Sequence, residues 1–225
     1  MKTFNPIHLV TRKLGSVVGL GITLLFGFLL PQAANAVISG SAHDFDTAGF
    51  STEICNVCHT PHNGNATDAP LWNHGVTTSS FTLYDSSVSS TLDAVTAQPV
   101  GITKMCLSCH DGSIAIDTFG GATGTNFVTG TALLGTDLSN DHPVAFIYND
   151  ALASTDGELH PPSTTAANVI GGAGTIEVDM LFGTAGSKTL ECASCHDVHN
   201  TNTAASYLLR KDNAGSALCL TCHDK

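Results

Sequence analysis

Basic residues are scarce in this sequence: 8 Lys plus Arg stand against 19 Asp plus Glu in 225 residues, a formal net charge of −11. Such a chain repels polyanions, which argues against nucleic acid and anionic lipid headgroups as partners. Methionine is also rare, and past the first 36 residues only Met105 and Met180 remain. After Leu30 there is no long apolar run, and about 20 apolar residues are needed to span a bilayer. Between His110 and Glu191 the sequence has neither a charged amphipathic helix nor a sustained alternation. A conventional helical core or large sheet is therefore not expected there. Low charge with frequent Gly and Thr would, by itself, favour disorder in so long a segment.

The N-terminus has a different character. Lys2, Arg12 and Lys13 precede an uncharged apolar run from Leu14 to Leu30, Pro31 breaks it, and Ala34-Asn35-Ala36 follows. That order is the pattern of a secretory signal peptide, so residues 1–36 are read as cleaved and Val37 as the first mature residue. An uncleaved membrane anchor is the alternative reading of the same run. Cleavage removes three basic residues and no acidic one, so the exported chain is more acidic still. It also reaches an oxidising compartment, where cysteines ordinarily pair as disulfides.

All eight cysteines instead fall into four copies of one pattern: Cys55-x-x-Cys58-His59, Cys106-x-x-Cys109-His110, Cys192-x-x-Cys195-His196 and Cys219-x-x-Cys222-His223. A disulfide framework, zinc sites or redox dithiols would each account for the thiols. None of them explains the histidine. With 11 His in the chain, roughly one position in twenty is His, and four coincidences at one offset are negligible. C-x-x-C-H is the attachment pattern of c-type haem, so four covalently bound haem c groups are expected. Residues i, i+3 and i+4 share a helical face, which presents both thiols and the imidazole to one side of a porphyrin. A short helix is accordingly expected at each motif, the first included.

The expected fold is that of a multihaem cytochrome c: mostly irregular chain with few short helices and little strand, wrapped around four haems that replace much of the side-chain core. Gly120 to Thr125 and Gly171 to Gly174 read as turns or links. The two halves resemble diverged copies, His43 and two motifs in one, His142 and two motifs in the other. They suggest haem-pair units at about 37–125 and 126–225 within one continuous haem chain. Trp72 is read as packing, with a haem as the apolar face it meets.

His59, His110, His196 and His223 are the expected proximal iron ligands. What binds the opposite face decides whether such a centre transfers electrons or does chemistry. Met105 abuts Cys106 and is badly placed for its own haem, which leaves histidines. His62 and His199 each follow a motif histidine by three, so each lies on the near side of its own porphyrin and must serve another haem. His43 and His142 open their halves and complete a bis-histidine set. Asp141 and Pro143 stand ready to orient the His142 ring. His74 is the rival distal ligand, and His160, before two prolines, reads as a surface residue.

Two longer patterns carry a family likeness. The stretch from Cys192 to His223, with Cys195-His196-Asp197-Val198-His199, Ser206-Tyr207-Leu208-Leu209-Arg210 and Leu218-Cys219, resembles the paired C-x-x-C-H domain of multihaem cytochromes. Ser41-Ala42-His43-Asp44-Phe45, the Cys58-His59-Thr60-Pro61-His62 run, Pro70-Leu71-Trp72-Asn73, Cys109-His110-Asp111-Gly112 and Leu138 to Val144 extend the likeness. Together they resemble the OmcE-type outer-surface tetrahaem cytochromes of metal-reducing bacteria. The resemblance implies electron transfer and no enzymatic role. It further implies head-to-tail polymerisation into extracellular filaments, with one distal ligand donated by the next subunit. Its implied partners are copies of the chain, other multihaem cytochromes and extracellular acceptors such as metal oxides.

A monomeric periplasmic shuttle is the alternative, and a nitrite or hydroxylamine enzyme is a third class that would need an open iron. Thioether attachment predicts that four haems per chain survive denaturation; a denaturing gel whose protein band lacks haem stain would refute it.

Overall fold

The computed structural model describes residues 37–65, 71–201 and 206–225, so the expected signal peptide lies outside the described residues. Regular structure is sparse and short. Helix α1 (Gly101–His110) is the longest, followed by α2 (Asp150–Asp156), α3 (Ile176–Asp179), α4 (Cys192–Cys195) and α5 (Cys219–Cys222). Four strands of two residues each, β1 (Thr82–Leu83), β2 (Asp137–Leu138), β3 (Phe146–Ile147) and β4 (Thr189–Leu190), form two separate pairs. β1 lies parallel to β2 with Thr82 opposite Asp137, and β3 antiparallel to β4 with Phe146 opposite Leu190. The rest is turn and irregular chain, as expected of the fold class.

Local chemistry explains where these pieces stop. Asn149 caps α2 by accepting from the Leu152 amide at 2.9 Å, and Gly157 ends it in the left-handed region at φ 76. This is the Asn-start, Gly-stop asymmetry of a short helix. α1 ends where Asp111 turns away; its carboxylate accepts from the Thr77 hydroxyl at 2.5 Å and the Ser113 amide at 2.7 Å. Gly112 follows at φ 76.

Second, third and fourth motifs sit on α1, α4 and α5. The first does not sit on a helix: residues 54–58 form turns, held by the Cys58 and His59 amides on the Cys55 carbonyl at 3.3 and 2.9 Å. That is still one helix-like turn, with the same His-to-first-Cys amide bond as the third and fourth motifs, and beyond it His59 pairs with Trp72 across an isolated bridge.

The main apolar cluster joins Phe146, Tyr148, Ile176, Met180, Leu181, Leu190 and Leu218, with Cys195 and Cys222 packed against it. A smaller one joins Phe81, Leu107 and Leu138. Both back onto motif helices, so the ordinary core of this chain supports the cysteines. Tyr148, 2 % exposed, donates its hydroxyl to the His160 carbonyl at 2.6 Å. The His160 amide in turn donates to the Cys222 carbonyl at 2.8 Å, so His160 is half-buried and tied to the fourth motif rather than free at the surface.

Among the described residues no helix is long and apolar enough to cross a membrane. Ile176 is fully buried in the main cluster, so Ile176→Ala is expected to cost about 3 kcal/mol through lost burial and a residual cavity. Urea unfolding of the haem-loaded protein measures it, and a change below about 1 kcal/mol would contradict this description of the core.

Candidate haem sites

Each motif histidine is anchored at its backbone before its ring does anything. His59, His196 and His223 each donate their amide to the first cysteine of their own motif, at 2.9, 3.0 and 3.0 Å. Each is also bridged to a distant residue, His59 to Trp72, His196 to Leu209 and His223 to Leu159. The His110 carbonyl accepts from Leu134 and Gly135 at 2.8 and 3.2 Å. His196 and His223 leave their helices with nearly the same dihedrals, φ −105, ψ 138 and φ −100, ψ 137. Third and fourth motifs are thus copies of one local structure.

The rings come together in pairs. His43 and His110 have centroids 6.1 Å apart, His59 and His199 6.3 Å, and His142 and His223 6.3 Å. An imidazole nitrogen sits about 2 Å from a metal it ligates, with its ring centroid about 1.1 Å behind, so two rings on opposite sides of one iron stand about 6.2 Å apart. The three pairs therefore fit an iron between them. The same separation also lies within ordinary aromatic contact, about 4.5 to 7 Å, as between His59 and Trp72.

The distal histidines expected at His43, His142 and His199 each face a motif histidine, and His199 faces His59 rather than its own His196. His62, by contrast, is exposed on the rim of a groove lined by Trp72, Asn73 and His74. Among the described residues no imidazole stands at the iron-spanning distance from His62 or from His196.

Ring nitrogens are directed by backbone carbonyls that the sequence pattern does not reveal. Nδ1 of His110 donates to Ala132 O at 2.7 Å, Nδ1 of His142 to Pro143 O at 2.9 Å, and Nδ1 of His196 to Tyr207 O at 2.9 Å. Using Nδ1 as donor leaves Nε2 as the lone pair available to a metal. For His142 the orienting group is the proline carbonyl, and the Asp141 carboxylate takes no part in it. The Tyr207 carbonyl is delivered by strained backbone, since Tyr207 and Leu208 both have positive φ, 60 and 57. His74 is placed otherwise: it is buried, and its two ring nitrogens lie 2.9 Å from the Gly75 and Ala115 carbonyls. A neutral ring donates to only one of the two, and Nε2 also lies 3.5 Å from Cys109 Sγ.

Burial and neighbouring imidazoles favour the neutral form of one ring in each pair, the form a metal requires. Burial, then the neighbouring His110 and His196, lower the His43 pKa to about 4. Burial and His199 lower that of His59, and burial and His142 that of His223. Burial pushes the thiols up, Cys58 and Cys195 to about 11 and Cys109 and Cys222 to about 12.

The same interactions place the motifs next to one another in chain order. The Cys109 thiol feels Cys58, Cys106 feels Cys192, and Cys222 feels Cys195. An apolar cleft bounded by His142, Phe146, Tyr148, Met180, Leu218, Cys219, Cys222 and His223 opens at the fourth motif, between the paired imidazoles and the main cluster. Trp72 stands edge-on to His59, with centroids 6.3 Å apart.

Residues 185–225 match the family described as the doubled CXXCH motif. This stretch holds the third and fourth motifs, supports a multihaem c-type cytochrome with covalently bound haem, and points to electron transfer rather than enzymatic turnover. A search of curated proteins finds no match to the chain. From the ring geometry, His142→Ala is expected to turn one haem from low-spin to high-spin while His74→Ala changes the spin state of none. Visible and EPR spectra of the oxidised variants test both, and the opposite pattern would exchange the two histidines.

Proposed function

We propose that this chain is a tetrahaem c-type cytochrome that carries electrons over long range outside the cell, as the subunit of a head-to-tail filament. The spacing of three imidazole pairs, each 6.1 to 6.3 Å between centroids, carries the reading. The eight motif cysteines anchor four haems. His59, His110, His196 and His223 hold the near faces, and His199, His43 and His142 hold the far faces of the first, second and fourth. Haem iron, when bound, supplies the one-electron change; the chain supplies ligands, spacing and insulation. Bis-histidine ligation places the potentials below those of Met/His cytochromes.

His62 and His196 are what remain. His62 follows its own motif histidine by three and cannot round the porphyrin to the far side, so it must serve another centre. A second copy of the chain that sets its His62 opposite His196 completes the third haem. One copy gives His62 and the other His196; repeated head to tail, such a contact is heterologous and propagates instead of closing. The leader at 1–36 delivers the subunit to the exterior, where other multihaem cytochromes and insoluble acceptors such as metal oxides are its partners. One observation favours the monomeric shuttle: like charge on every copy, −11 per chain, opposes self-association.

Electron microscopy and EPR of the purified protein separate these. Filaments with four low-spin haems per chain are expected, and His62→Ala should yield single subunits with one high-spin haem. Single wild-type subunits with four low-spin haems would rule out the filament. Single subunits with one high-spin haem that turns over nitrite would make the third haem an enzyme site instead.

A further inference from the structure

One buried carboxylate joins the two halves of the haem chain. Glu191, 5 % exposed, is the residue before Cys192 and opens α4 in a capping box with Ser194, whose amide donates to the Glu191 side chain while the Ser194 hydroxyl accepts from the Glu191 amide at 2.9 Å. Ser, Thr, Asp and Asn are the usual residues for that position, and their short side chains suffice for a cap. Glutamate is longer, and its carboxylate goes further. Oε2 also accepts from the Thr103 amide at 3.3 Å and from the Thr103 hydroxyl, on α1, and Oε1 from the Thr189 hydroxyl at 2.5 Å.

Thr103 is fully buried, and its hydroxyl oxygen accepts in return from the Cys192 amide at 3.1 Å. A buried carboxylate is costly unless its oxygens are satisfied, and here the donors come from both motif helices at once. α1 and α4 pack directly on each other. Beside this lock stand Cys106 on α1 and Cys192 on α4, the first cysteines of the second and third motifs, and the Cys192 amide itself is held by Thr103.

We propose that Glu191 and Thr103 are positioning residues that set the spacing of the second and third haems, the junction where the two haem pairs meet. The proposal rests on the tetrahaem reading above. A residue needed only to start α4 would require the Ser194 contact alone; the reach to Thr103 answers a different need, to hold the two attachment cysteines edge to edge.

Two variants separate capping from spacing. Glu191→Asp keeps a carboxylate that can cap α4 but is too short to reach α1. Thr103→Val keeps the volume, removes the hydroxyl, and leaves the cap untouched. Haem content by pyridine haemochrome comes first: fewer than four haems in the unaltered protein would overturn the tetrahaem reading itself. With four haems in each variant, EPR of the oxidised protein is expected to lose one pairwise magnetic interaction between neighbouring ferric haems, and Thr103→Ser should restore it. An unchanged EPR spectrum in both variants would overturn the spacing role even if their Tm values fell. So would a uniform loss of one haem from both, because the contact would then serve attachment rather than spacing.

Discussion

Two imidazoles on opposite sides of one iron must stand about 6.2 Å apart, and most of this structure follows from holding histidines that far from each other. Rings such as His59, His142 and His199 are exposed, so packing alone does not fix their separation; what holds each segment from behind does. Backbone bridges fix His59, His196 and His223, and carbonyls of Ala132, Pro143 and Tyr207 fix ring directions. The strained left-handed pair at Tyr207 and Leu208 belongs to the same account, since it brings one of those carbonyls to His196.

The rest of the chain is economical around this requirement. Its two apolar clusters lie behind the motif helices, and neither is large enough to be the whole core of a chain this long. Three of the five Lys and Arg among the described residues are used inward. Arg210 donates to the Ala193 carbonyl at 2.7 Å inside α4, and Lys211 to the Thr221 hydroxyl at 3.0 Å inside α5. Lys188 reaches the Glu177 carbonyl at 2.6 Å. Each steadies the chain near a motif or beneath the main cluster, whereas Lys225 pairs with Glu158 at the surface.

The attachment residues were legible in the sequence because covalent chemistry demands them at fixed spacing: two thiols one helical turn apart, then an imidazole. The scarcity of regular structure was legible for a related reason, since no segment carried a periodicity able to build a large sheet or an amphipathic bundle. The offset of three at His199 was also informative, because a short chain cannot round a macrocycle. Where the expectation failed, at the first motif, the chain makes a single turn and no more, although the His59 bridge to Trp72 has counterparts at the helical third and fourth motifs.

Partnership, however, was decided only in three dimensions. Sequence alone could not say that His43 faces His110, that His199 faces His59, or that His142 faces His223, because ring pairing joins residues as much as 140 positions apart. His74 looked like any other spare histidine until its two nitrogens were found against the Gly75 and Ala115 carbonyls. Glu191 carried no signal beyond its place before Cys192; its reach to Thr103 depends on how α1 lies against α4. Covalent attachment is a property of neighbours in the chain and is written there. Coordination from the far side is a property of neighbours in space, and only folding creates those.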